Sequence, residues 1–302
     1  MAQRTRGASS WSRLSTETAH PRSARLDRLG IARTVGLMQS EDRRVLRALA
    51  RARPKIAAAA EAWRETYAAG GRIWLFGAGT SGRLAVLEAA ELPPTFGTDP
   101  RRVRAQIAGG RAAVFRAREG AEDRDDEGRR GAARAKASDL VIGVSASSVT
   151  PFVRGALEEG RRRGARTVLV TSSRSFPRGI ADIVVALDTG AEVVAGSTRL
   201  KAGTATKLAL NQISTAAFAA SGKVFGPWMV DLRAGSAKLR DRSRRIVASA
   251  GGVSPARAAR LLAVAGGEVR TAIVMARRKV GADEARRRLA ASGGDIRRAL
   301  GR

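Results

Sequence analysis

A doubly wound α/β fold with a parallel sheet, followed by a small helical domain, is what this 302-residue chain predicts. Three observations carry that expectation. Short continuous apolar runs alternate with helical segments between about residues 55 and 227. The first run passes through a glycine-rich turn directly into a helix. Beyond about residue 240 the apolar runs stop and glycines punctuate short helices.

Arg72-Ile73-Trp74-Leu75-Phe76 reads as a buried strand, and Gly77-Ala78-Gly79-Thr80-Ser81-Gly82 opens the helix after it, which is expected to end at Glu91, just before Pro93-Pro94. A second strand-turn-helix unit runs from Leu140-Val141-Ile142-Gly143-Val144 through Ser145-Ala146-Ser147-Ser148-Val149-Thr150-Pro151 into a helix ending near Arg163. Thr167–Val170 and Ile183–Ala186 are two further runs. Such runs offer no polar face to water, so they belong to a parallel sheet covered on both sides by helices. At the C-terminal end, Ser254-Pro255 reads as an N-cap followed by Pro at the first helical position. Residues 265–272 and 292–299 repeat one helix start, a small residue, Gly-Gly, then an acid. The expected divisions are a basic N-terminal arm and helix over 1–54, with its first 14 or so residues disordered, the α/β domain over 55–227, and three or four helices over 240–302.

Composition removes several chemistries. The chain has no Cys, hence no disulfide, thiol nucleophile or thiolate metal site. His20 is its one histidine, which argues against a Ser-His-Asp triad or a multi-histidine zinc site. No apolar stretch reaches the ~18 residues of a spanning helix, and the basic N-terminus lacks the apolar core of a secretory signal. A formal charge of +29 invites a polyanion partner. The excess is concentrated at the ends, however, with 12 basic against 4 acidic residues in 1–53 and 17 against 5 in 238–302. Trp11 is the one aromatic residue of these two segments, so base stacking has almost no platform and nucleic acid is disfavoured as a partner.

In open α/β sheets ligands lie beyond the carboxyl ends of the strands, where helix N-termini present free N–H groups. Two turns here have the matching composition. One offers Gly79, Thr80 and Ser81; the other offers Ser147, Ser148 and Thr150 beside Ser145. Paired hydroxyl-rich turns suit a phosphomonoester. Gly77-x-Gly79-x-x-Gly82 also fits the dinucleotide pattern, but no acidic residue lies about 20 positions on at the end of a second strand to hold a ribose. Carboxylates that could act as acid and base are Glu88, Glu91, Glu122, Asp123, Asp125 and Asp126. Spacing selects no pair among them, and a capping role stays open for Glu91 and Glu122.

Gly77-Ala-Gly-Thr-Ser-Gly-Arg-Leu84 and Glu91-Leu-Pro-Pro-Thr-Phe-Gly97 resemble the N-acetylmuramic acid 6-phosphate etherase family. So do Glu119-Gly-Ala-Glu-Asp123, Gly190-Ala-Glu-Val-Val194, Gly196-Ser-Thr-Arg-Leu-Lys-Ala-Gly-Thr204, Ser221-Gly-Lys-Val-Phe-Gly226 and Met229-Val-Asp231, with Thr16-Glu17 and Leu26-Asp27-Arg28 near the start. The resemblance runs in order from about Thr16 to the C-terminus. It implies a sugar isomerase (SIS) domain with a small C-terminal helical, UBA-like domain, in a cytoplasmic homodimer that needs no metal or organic cofactor. The implied reaction cleaves the D-lactyl ether of N-acetylmuramate 6-phosphate, as a lyase of cell-wall amino-sugar recycling. It makes Glu91 the acid for the leaving lactate and Glu122 the base. It places Ser197, Arg199 and Lys201 in the substrate cleft, with a dimer contact equally open for each.

Three departures stand out. The family's second hydroxyl turn usually reads Ala-Ser-Gly-Arg-Thr-Pro, and here Ser148-Val149 replaces Gly-Arg. His20 stands where an Asn is common, in a position that suits a helix cap, and Gly235-Ser236 replaces a Thr-Asn pair. The same fold and turns would also serve a sugar-phosphate isomerase, or a regulator that binds a sugar phosphate without turnover.

Overall fold

The computed structural model describes residues 17–232 and 235–301; Thr16, Trp11 and the expected disorder of the first 14 residues lie outside them. The chain divides into two compact units, one of residues 1–89 and 101–214, the other of residues 90–100 and 215–302.

The first unit is built on β1 (Ile73–Gly77), β2 (Val103–Ile107), β3 (Leu140–Val144), β4 (Arg166–Thr171) and β5 (Ile183–Ala186). All neighbours run parallel, in the order β2-β1-β3-β4-β5. The two central strands are buried at every position, as continuous apolar runs require. Of these five strands, β2 escaped the sequence reading: Val-Arg-Ala-Gln-Ile is an edge strand that buries its two end residues and exposes Arg104.

The helices are α1 (Ile31–Ala68), α2 (Gly79–Phe96), α3 (Ala112–Phe115), α4 (Asp125–Ala132), α5 (Pro151–Arg162) and α6 (Lys201–Ala220). Trp74, Phe76, Val141 and Leu169 turn one sheet face toward Phe152, Val153 and Leu157 of α5 and Ala132 of α4. The long α1 contacts β1, β3 and β5. The expected edge at 54/55 falls inside α1, which passes Pro54 without a break. Pro54 lacks the N–H that the Ala50 carbonyl would accept, and both residues lie on the exposed side of the helix, where solvent can reach that carbonyl.

The end of α2 differs from the one expected. The helix does not end before Pro93-Pro94; it runs through both prolines to Phe96. Thr95 Oγ1 donates to the Glu91 carbonyl at 2.8 Å, and Gly97 N to that of Pro93 at 3.0 Å. Leu92 and Phe96, one turn apart, are buried, and the Phe96 ring centroid lies 4.9 Å from that of Phe218. Burial of two such side chains, about 1.5–3 kcal/mol each, offsets much of the cost of the two interior prolines, ~3 kcal/mol each.

In the second unit a hairpin, β6 (Val224–Phe225) with β7 (Trp228–Met229), precedes α7 (Ala237–Gly251), α8 (Pro255–Val264), α9 (Val269–Arg278), α10 (Ala282–Ala291) and α11 (Ile296–Ala299). The last is a single turn, so four full helices and a stub stand where three or four were expected. Val230, Ile246, Val247, Ala272, Ile273 and Leu289 lie at their shared core. The repeated Gly-Gly signal has one geometry twice. Gly267 N donates to Leu262 O at 2.8 Å and Gly294 N to Leu289 O at 2.7 Å, closing α8 and α10 in the Schellman manner. Ser254 caps α8 as expected, its Oγ accepting from Arg257 N.

Candidate functional site

The order β2-β1-β3-β4-β5 reverses direction between β1 and β3, so those strand ends diverge into helices on opposite sides and leave a crevice. Gly77 pairs with Val144, so the turns that follow leave from adjacent strand ends, ~4.8 Å apart. Both hydroxyl-rich turns predicted from the sequence therefore open side by side at the switch point. Each leads into a helix N-terminus, α2 at Gly79 and α5 at Pro151, whose unpaired N–H groups favour an anion.

The first turn is tight because it lacks side chains where the chain folds on itself. A Cβ on Gly77 would lie 2.7 Å from Gly82 N, and one on Gly82 would lie 2.5 Å from Ile107 Cγ1 and 2.6 Å from Gly77 O. The Gly-x-Gly-x-x-Gly spacing is thus explained by close approach of backbone to backbone. Gly79 itself is exposed with φ +52°. Thr80 and Ser81 are half-buried, and their hydroxyls have no protein partner among the described residues. Arg83, the cation of the motif, donates from Nε to the Val114 carbonyl at 2.9 Å.

Ser145 organises the second turn. Its Oγ accepts from Ser148 N at 3.1 Å and lies 2.8 Å from Thr150 Oγ1 and 3.5 Å from Ser147 Oγ. Ser147 and Thr150 remain half-buried at the rim. Ser148 does not join them. It is 1% exposed, and its Oγ donates to the Ser175 carbonyl at 2.8 Å, so it holds the turn from within. Its φ of +66° is left-handed, a conformation natural to glycine. Where the family's turn usually carries Gly, the backbone keeps the glycine conformation and the serine hydroxyl secures it.

Glu122 lies in the single 3₁₀ turn Ala121–Asp123, beyond the end of β2. That turn folds back onto the strand end: Arg118 Nη1 donates to Gly109 O at 3.1 Å, and a Cβ on Gly109 would meet Ala121 Cβ at 3.1 Å. The turn also packs against α5. Water reaches Glu122, yet surrounding protein displaces enough of it to raise the carboxyl above its ordinary pKa, with the charges of Asp123 and Glu119 adding to the shift. Glu91 is exposed on α2, in the second unit.

Other carboxylates leave the list of candidates. Glu88 is buried, accepting from Asn211 Nδ2 at 2.7 Å and from Ser214 Oγ. Asp126 is bonded by Arg124 and Arg130, which hold it down at about 2, so it has no proton to give near neutral pH. Asp125 pairs with Arg129.

The 191–202 segment divides the remaining expectations. Ser197 is half-buried and Arg199 exposed, both without side-chain partners among the described residues. Lys201 is not available to a ligand: it is 1% exposed, bonded through Nζ to Glu41 Oε2 at 2.8 Å and to the Ala191 carbonyl at 2.7 Å. Sequence reasoning missed Glu41, one of four acidic residues on a helix of 38 residues (with Asp42, Glu61 and Glu65), with no local sign of its distant partner. His20 caps the 3₁₀ turn Pro21–Ser23, its Nδ1 accepting from Arg22 N, which leaves the proton on Nε2, 3.1 Å from Glu41.

A cavity of about 1280 Å³ lies in the second unit between Leu262, Arg270 and Leu289, and contains none of the expected site residues.

Residues 55–160 match the family model of the glucokinase regulatory protein N-terminal SIS domain. The doubly wound sheet and its paired hydroxyl turns agree with that match, and together they define an SIS-domain protein. Over nearly its whole length the chain is also 50% identical to an N-acetylmuramic acid 6-phosphate etherase of Rubrobacter xylanophilus, covering 90% of this chain and 92% of that one. It is 46% identical to an etherase of Symbiobacterium thermophilum, covering 87% and 88%, and 45% identical to one of Mycolicibacterium smegmatis, covering 91% and 93%. The chain belongs to the N-acetylmuramic acid 6-phosphate etherase family. No helix among the described residues is long and apolar enough to cross a membrane.

Proposed function

We propose that this protein cleaves the D-lactyl ether of N-acetylmuramic acid 6-phosphate, giving N-acetylglucosamine 6-phosphate and D-lactate, as a cytoplasmic homodimer without a cofactor. The observation that carries the reading is the pair of hydroxyl-bearing turns, open side by side at the β1/β3 switch point, in a chain 50% identical to a named etherase. Thr80, Ser81, Ser147 and Thr150, with the N–H groups of two helix starts, hold the phosphate; Ser197 and Arg199 line the approach.

The chemistry asks for two carboxyl groups in opposite protonation states. In the open-chain sugar the C2 proton is acidic because it lies α to the aldehyde. Glu122, ionised, removes it. The C3–O bond then breaks, and Glu91 acts as the acid that gives a proton to the lactyl oxygen as it leaves. Water adds across the C2–C3 double bond, its hydroxyl at C3 and its proton at C2, and the carboxyls return to their starting states. A base with a raised pKa suits this step, since a stronger base lies nearer the pKa of the carbon acid.

Incubation of the purified chain with N-acetylmuramate 6-phosphate is expected to release D-lactate and N-acetylglucosamine 6-phosphate in equal amounts. Glu122→Gln and Glu91→Gln are each expected to lower kcat by about 10²–10⁴-fold, the usual share of a general acid or base. Aldose–ketose conversion without lactate would make the protein an isomerase instead, and sugar-phosphate binding without turnover would make it a sensor.

A further inference from the structure

Glu41, on α1, is 2% exposed, and four groups converge on it. Lys201 Nζ and Arg44 Nε each stand 2.8 Å from Oε2, His20 Nε2 stands 3.1 Å from the same oxygen, and Arg22 Nη1 lies 3.6 Å from Oε1. Burial pushes the carboxyl up, but the Lys201 hydrogen bond and charge, with His20 and Arg44, outweigh it and hold the group below its ordinary value. Lys201 spends a second bond on the Ala191 carbonyl at 2.7 Å. One residue on, the fully buried Glu192 accepts the N–H groups of Lys201 at 3.1 Å and Ala202 at 2.8 Å, capping α6. Residues 191–202 are thereby tied into a closed loop that carries Ser197 and Arg199. The first turn of α6 then touches the sugar-phosphate turn: a Cβ on Gly203 would lie 3.4 Å from Thr80 Cγ2.

A buried Lys–Glu pair is a weak source of stability, because desolvation of both ions cancels most of their attraction and an apolar pair often serves as well. In some proteins such a pair serves to fix placement rather than to add stability, and here Lys201 Nζ bonds both Glu41 and the Ala191 carbonyl while Glu192 bonds the N–H groups of Lys201 and Ala202. We propose that Glu41, Lys201 and Glu192 are positioning residues that close the 191–202 loop and seat the start of α6 against Thr80, so that Ser197, Arg199 and Thr80 meet the sugar phosphate together. The proposal rests on the etherase reading for its substrate.

The test compares the full-length chain with Glu41→Gln, with Glu192→Gln, and with a double variant, Glu41→Gln plus Lys201→Met, that removes both buried charges of the pair. For each, Tm, the kcat and KM of lactate release, and the calorimetric Kd for N-acetylglucosamine 6-phosphate are measured. Glu41→Gln strands a buried ammonium and is expected to lower Tm. The double variant is expected to recover most of that Tm while KM and Kd stay at least tenfold raised and kcat stays within threefold. Glu192→Gln, which keeps one acceptor for two N–H groups, is expected to raise KM and Kd by a smaller factor. Return of KM and Kd to wild-type values in the double variant would show the pair to be packing alone and overturn the proposal, as would a fall in kcat with KM unchanged. A wild-type chain that binds the sugar phosphate but releases no lactate ends the etherase reading and leaves the Kd comparison to decide this one. A wild-type chain that binds no sugar phosphate overturns both.

Discussion

Replacing Ser148 by Ala and by Gly should reverse the usual order of those two residues. Ser148 sits at φ +66°, where a residue bearing Cβ is strained by about 1–2 kcal/mol. Its hydroxyl gives one buried hydrogen bond to Ser175 O, worth about 1 kcal/mol. The acceptor keeps a second donor, Ser173 Oγ at 2.6 Å, so truncation leaves no orphan carbonyl. Ser148→Ala loses the bond and keeps the strain, a loss of about 1 kcal/mol. Ser148→Gly also loses the bond but relieves the strain, and gives back about 0.5–1 kcal/mol in the greater freedom of the unfolded chain. Glycine should therefore match the wild type within about 0.5 kcal/mol and exceed alanine by a similar margin. Urea titration of the three proteins reads the difference directly. Because the Ser148 hydroxyl points into the turn, KM for lactate release should change less than twofold in Ser148→Ala. Alanine equal to or more stable than glycine would refute the strain argument, and a tenfold rise in KM with unchanged stability would return the hydroxyl to the ligand.

Further outcomes follow from the same geometry. Gly82→Ala places a methyl against backbone and the Ile107 side chain, so it should destabilise by about 3 kcal/mol or more, read as lost soluble yield or a lowered Tm. Glu122, acting as a base, must be ionised, and its pKa is raised; the acid limb of kcat/KM should fall at a higher pH than an ordinary carboxylate would set. The linkage has the opposite sign for stability. A carboxyl raised on folding binds its proton more tightly in the native state, so its contribution is present at acid pH and is lost as pH rises through the folded value. Glu122→Gln should therefore abolish turnover yet raise Tm at pH 7, measured by melting at pH 4 and 7. Glu88→Gln should behave oppositely to Glu91→Gln: the buried Glu88 supports Asn211 and Ser214, so its loss lowers Tm at unchanged KM, whereas loss of the exposed Glu91 stops lactate release at unchanged Tm.

Much of the fold was legible because its signals are local. A strand buried on both faces must be apolar throughout, and β1 and β3 to β5 announced themselves in that way. Edge strand β2, which needs apolar side chains only at its buried ends, did not. A local rule also misplaced the end of α2: Pro93-Pro94 looks like a helix stop, but Leu92 and Phe96 are anchored by burial that no local rule counts.

What the sequence determined alone was the class of chemistry: no thiol, one imidazole, two hydroxyl-rich turns at strand ends, and carboxylates as the remaining acids and bases. Those follow from residue identity and from spacing within a few positions. Which residues are free to act was decided by tertiary structure. Ser148 and Lys201 carry suitable groups, yet one is bonded to Ser175 and the other to Glu41, 27 and 160 residues away. The availability of a hydroxyl or an ammonium is a property of its partners, and partners brought together across the chain are set by packing, which no short stretch of sequence contains.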